Sequence, residues 1–143
     1  MSTVIACPSC GRRNRVPAGA SGRPRCADCH TDLPWIVDAG DHDFDEVTST
    51  AGHVLVDLWA PWCGPCHMVA PGVERAASEL AGRLKVLKVN VDEAPGVSAR
   101  FGVQSIPTLL VLRKGEVVAR QTGALPADRL LDWVRSTLDA HRV

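Results

Sequence analysis

No stretch of this 143-residue chain approaches the roughly 20 consecutive apolar residues a membrane-spanning helix needs, which excludes such a span. The start, Met1-Ser-Thr-Val-Ile-Ala-Cys-Pro8, has neither a basic segment nor a long apolar one. It is therefore expected not to be a secretory leader, and a cytoplasmic location is expected with it. Net charge is absent too, since 16 basic side chains balance 16 acidic ones. The balance conceals an uneven distribution. Residues 1–30 hold Arg12, Arg13, Arg15, Arg23 and Arg25 against Asp28 alone, whereas residues 31–143 hold 15 acids and 11 bases. The same 30 residues lack apolar periodicity, so they cannot bury a core without a staple. They also lack any aromatic side chain on which a base could stack, so their arginines are not expected to bind nucleic acid. The chain as a whole is 45% hydrophobic and 22% charged, a globular composition.

What the chain has is six cysteines, every one in a C-x-x-C pair: Cys7/Cys10, Cys26/Cys29 and Cys63/Cys66. In a reducing compartment a disulfide framework would not persist, which leaves metal binding and redox chemistry. The first two pairs, 15 residues apart, match a four-cysteine zinc pattern. Each pair is a tight turn presenting two sulfurs, and two turns complete the tetrahedron of a structural zinc. Four thiolates leave no open coordination position, so one structural Zn²⁺ per chain is expected, held by Cys7, Cys10, Cys26 and Cys29. His30, beside Cys29, is surplus to that set. Metal binding would supply the folding energy that the segment lacks. The thiolates would also offset part of the arginine charge.

The composition changes near residue 32, which divides the chain into a zinc-binding module at 1–32 and a body at 33–143. In the body, strand and helix patterns alternate. Leu33–Val37 reads as a short strand and Asp43–Ser49 as a short helix. Val54–Trp59 is an apolar run broken only by Asp57, as in a central strand buried on both faces. Cys63–Ala81 has helical spacing, with Pro71 inside it and Gly82 after it. Leu84–Val91 is a second buried strand, and Ala94–Phe101 a short helix. Thr108–Leu112 and Glu116–Arg120 flank Lys114-Gly115 as a hairpin, and a last helix follows Pro126. The fold class is α/β: a mixed central sheet covered by helices on both sides.

The third pair, in Trp62-Cys63-Gly64-Pro65-Cys66, follows a buried strand and opens a helix, the setting of a redox dithiol. At a helix N-terminus, unpaired N–H groups and the macrodipole favour a thiolate, which makes Cys63 the nucleophile. Cys66, one turn on and expected to lie deeper, can close the disulfide. Gly64 allows a partner to approach, and Pro65 fixes the turn. An acid in a central strand loses hydration, so the Asp57 carboxyl is expected to be raised.

These segments, Val56–Cys66, Met68–Pro71, Ile106–Leu110 and Gly123–Leu125, resemble the thioredoxin family from about residue 33 onward. The four-cysteine head resembles the bacterial thioredoxin 2 class, which carries an N-terminal zinc-binding extension. The resemblance implies a protein-disulfide reductase working through a redox-active Cys63–Cys66 disulfide. It would be recharged by an NADPH-dependent thioredoxin reductase, use no organic cofactor and act as a monomer on disulfide-containing client proteins. It also implies that Asp57 is the buried acid near the dithiol, Lys88 its partner and Pro107 a cis-proline. Trp62, Ile106, Pro107 and Gly123 would line the groove that receives the client. One departure stands out: the family's lysine after the second cysteine is here His67. The competing reading is a redox-sensing zinc regulator that uses the body as a scaffold.

Overall fold

A computed structural model describes residues 2–20, 23–50 and 52–141. The head contains an antiparallel hairpin, β1 (Ser2–Ala6) with β2 (Arg13–Pro17). No strand is expected there from apolar alternation, and the reason lies in β2. Its inward residues are Asn14 and Val16, so one of two buried positions is polar. Asn14 earns burial by hydrogen bonding: its amide donates to the Ile5 and Arg12 carbonyls and accepts from the Ala27 N–H.

The body is a five-stranded sheet in the order β3-β5-β4-β6-β7. Its strands are β3 (Ile36–Asp38), β4 (His53–Trp59), β5 (Leu84–Asn90), β6 (Thr108–Arg113) and β7 (Glu116–Thr122). The first three are parallel, and β6 and β7 run antiparallel. The expected mixed sheet is therefore present. Its first strand starts later than the expected Leu33 because Leu33 gives its N–H to Pro24 of the head and Pro34 has none to give. Lys114 and Gly115, both at positive φ, turn the chain from β6 into β7.

Side chains alternate across the sheet and separate two cores. Val54, Val56 and Leu58 of β4 and Leu87 and Val89 of β5 pack with α1 (Phe44–Thr48) and α3 (Pro95–Arg100). The head lies on this face, with Cys7, Val16, Ala18 and Cys26 in the same apolar cluster as Leu33, Trp35 and Phe44. Leu55, Leu84 and Val86 face the other way, against α2 (Gly64–Glu79) and α4 (Ala127–Ala140). A Cβ on Gly72 would lie 3.2 Å from Ala127 Cα, so the bare glycine lets α2 and α4 approach. No helix among the described residues is long and apolar enough to cross a membrane.

Candidate active site and metal centre

Strand β4 runs out at Trp59, and four residues later Cys63 caps α2. Cys63 is extended (φ −88°, ψ 107°), and its Sγ accepts the Cys66 N–H at 3.2 Å. One free N–H of the helix start therefore points at this sulfur, stabilising negative charge there when the thiol ionises. Gly64 and Pro65 occupy the first turn; a Cβ on Gly64 would meet open space, and Pro65 sits where its missing N–H is not needed. Cys63 and Cys66 are joined as a disulfide with their Cα atoms 5.3 Å apart. Both are 3% exposed, so the expected difference in depth is absent in the oxidised pair. Ile106 packs against the small cluster of Ala60, Cys63 and Cys66, and its carbonyl lies 3.8 Å from the Cys63 sulfur.

The Ile106–Pro107 bond is cis, and the Pro107 carbonyl accepts the N–H of Gly123 at 2.9 Å. These residues thus meet beside the dithiol although they come from separate loops. Trp62, directly before Cys63, stands 70% exposed, with its indole N–H donating to Asp92 at 2.8 Å. Asp92 follows β5, and no local pattern in the sequence marks it as Trp62's partner.

Asp57 is 1% exposed and is the register partner of Lys88 across β4 and β5. By alternation it shares the α2 face of the sheet with Leu55. Its Oδ1 has no hydrogen-bond partner. Desolvation raises its carboxyl from the usual 3.8 to about 6, and the Lys88 ammonium pulls the other way. The two make no ion pair among the described residues. Instead Lys88 Nζ lies over the Trp59 ring, 4.9 Å from its centroid.

The four remaining cysteines converge, with all their sulfurs within 4.8 Å of one another. Cys7 Sγ is 3.5 Å from Cys29 Sγ, and Cys10 Sγ is 3.4 Å from Cys26 Sγ, so the two knuckles interdigitate. A tetrahedral ion with bonds of about 2.3 Å spaces its sulfurs by nearly that amount, so the donor set fits a metal. Backbone N–H groups back the ligands: those of Ser9 and Cys10 point at Cys7 Sγ. The N–H of Cys29, followed by that of Asp28, draws the Cys26 thiol down to about 6. The neighbouring Cys10 thiol goes the other way, up to about 12: the Arg12 N–H lowers it, but the Cys26, Cys29 and Cys7 sulfurs and burial together raise it. Lys85, absent from the residues expected at either site, is 2% exposed and donates to the carbonyls of Ala18 and Val47, both at 2.6 Å.

A dithiol at a helix start, facing a cis-proline and an exposed tryptophan, defines a thiol–disulfide oxidoreductase. The thioredoxin family profile matches residues 36–136. Thioredoxin of Haemophilus influenzae is 46% identical over 100 residues, covering 69% of this chain and 94% of its own length. Thioredoxin of Bacillus subtilis is 48% identical over 103 residues, 72% and 98% respectively, and thioredoxin 1 of Synechococcus elongatus 47% over 96, 67% and 86%. The chain belongs to the thioredoxin family.

Proposed function

We propose that the chain reduces protein disulfides by a two-step exchange, with Cys63 as nucleophile and Cys66 as resolving thiol. The observation that carries this is the Cys63 sulfur at the start of α2, facing the Ile106–Pro107 segment. In the reduced state the Cys63 thiolate attacks one sulfur of a client disulfide and expels the other as thiolate, leaving a mixed disulfide. The client strand lies against Ile106, Pro107 and Gly123, with Trp62 at its edge. Cys66 loses its proton to Asp57, whose elevated carboxyl suits it as base, and attacks Cys63 Sγ. The client leaves with two thiols, and Cys63–Cys66 is a disulfide again. Lys88 tempers the charge that Asp57 would otherwise carry alone. An NADPH-dependent thioredoxin reductase returns the two electrons, so no organic cofactor is bound.

Residues 1–32 form the metal module and 33–143 the catalytic body, in a cytoplasmic monomer. Cys7, Cys10, Cys26 and Cys29 would hold one Zn²⁺, whose role with four thiolates is to fix the head rather than to activate water. A scaffold regulated through that zinc would leave the Cys63–Cys66 pair without a task. Non-reducing gels of two variants test the assignment. Cys66→Ser is expected to accumulate covalent complexes with disulfide clients, and Cys63→Ser none; the reverse pattern would exchange the two roles.

A further inference from the structure

The residue after the resolving cysteine does something the dithiol geometry does not require. His67 lies on the exposed side of the first turn of α2, and its Nε2 is 2.7 Å from the carbonyl oxygen of Pro61. A carbonyl only accepts, so Nε2 carries the proton and donates. Pro61 has no N–H of its own. Its segment, Ala60–Trp62, lies between β4 and α2. The main-chain bond that closes it, from Cys63 N–H to Ala60 O at 3.1 Å, leaves the Pro61 carbonyl free for His67. The imidazole is braced in turn by a T-shaped contact with the Trp59 ring, 6.3 Å between centroids at 74°. One residue past Pro61 is Trp62, tied at its far end to Asp92. The exposed indole is thus held at two points: through its own N–H, and through the backbone that His67 holds.

We propose that His67 is a positioning residue for client recognition, clamping Pro61 so that Trp62 is presented in place beside Cys63. This rests on the disulfide-exchange reading and deepens it. The clamp needs the Nε2–H donor and not a charge. That separates His67 from a cation that merely favours the thiolate. A glutamine, whose amide nitrogen can reach the position of Nε2, should replace it.

The test compares His67→Ala and His67→Gln with the unaltered chain, using insulin as protein disulfide and dithiobisnitrobenzoate as a small one. His67→Ala is expected to raise KM for insulin about three- to tenfold with kcat within about twofold, the scale of one lost hydrogen bond. Reduction of the small disulfide, which needs no Trp62 surface, should be unchanged, and His67→Gln should restore KM for insulin. A readout independent of turnover is hydrogen exchange of the Trp62 indole proton, assigned by its loss in Trp62→Phe; it should quicken in the alanine variant and recover with glutamine. An alanine variant with unaltered KM and indole exchange would overturn the clamp. So would a glutamine variant as impaired as alanine, which would transfer the effect to the ring or its charge. If the unaltered chain reduced neither disulfide, the exchange reading itself would fail, while indole exchange would still decide the clamp.

Discussion

Burial holds the Asp57 proton to about pH 6 in the folded chain, against 3.8 for an ordinary aspartate. Between those values the native state binds more protons than the unfolded one, so this group's contribution to stability is full below 3.8 and is lost as pH rises through about 6. Above that window an ionised carboxylate with an unpartnered oxygen is carried at a cost on the order of 2–3 kcal/mol. Asp57→Asn removes the ionisation and keeps the shape. Denaturant unfolding at pH 7.5 should show the variant more stable by roughly 1–3 kcal/mol, with the advantage gone by about pH 4. Rapid-quench kinetics should show slow resolution of the mixed disulfide, with attack by Cys63 little changed. If resolution kept its rate, the Cys66 proton would go elsewhere. Asp57 was legible beforehand because a single acid in Val54–Trp59 has no exposed edge to occupy. Its missing contact with Lys88 was not: the register pairs the two residues, but only the fold shows the ammonium turned onto Trp59.

At the scale of elements, β5 carries the least obvious information. Its residues 84–89, Leu-Lys-Val-Leu-Lys-Val, read as a strand buried on both faces, and the structure makes it one. Two lysines three apart in such a strand must point to opposite faces, and that was the available sign that one of them enters the core. Lys88 goes to the side of Asp57. Lys85 goes to the head side, where Ala18 and Val47 supply carbonyls and the Trp35 ring lies 4.1 Å from Nζ. These partners include no carboxylate, and desolvation lowers the ammonium from 10.5 to about 8. The stability tied to this group is therefore present above about 10.5 and is lost as pH falls through about 8. Lys85→Met should abolish that rise in stability between pH 8 and 10.5. It should also take the Lys85 donor away from the Ala18 and Val47 carbonyls, a loss of roughly 1–3 kcal/mol at pH 9. An unchanged pH slope in the variant would mean that the lysine is not the titrating group. Strands β4 and β5 are readable from their apolar runs, and α2 from its helical spacing. The strands β1 and β2 are not, because Asn14 fills an inward position with hydrogen bonds in place of carbon.

The whole molecule is joined more closely than the change in composition near residue 32 implies. Cys7 and Cys26, two of the four converging thiols, are themselves 3% and 1% exposed and lie in the cluster that includes Leu33, Trp35 and Phe44. Half of the candidate ligand set is thus also part of the packing on this face, and Lys85 adds a polar tie from β5 to Ala18. Against that, the second core, built from β4, β5, β6, α2 and α4, draws on no residue before 36, and all five strands of the main sheet lie in the body. A chain beginning at Leu33 should therefore still fold and reduce disulfides, but with its head-side face uncovered. Exposing Leu33 and Trp35 alone costs roughly 2–5 kcal/mol, so its unfolding midpoint should fall well below that of the full chain, and it should aggregate more readily through that apolar patch. Chelation of a metal-loaded full chain should move stability the same way by a smaller amount, since such a head would lose its metal but not its covalent attachment. Metal analysis, thermal unfolding and insulin reduction on the three samples separate the cases. A truncated body as stable as the full chain would mean that the head only rests on the sheet, whereas a truncated body that cannot fold would make residues 1–32 part of the catalytic fold itself.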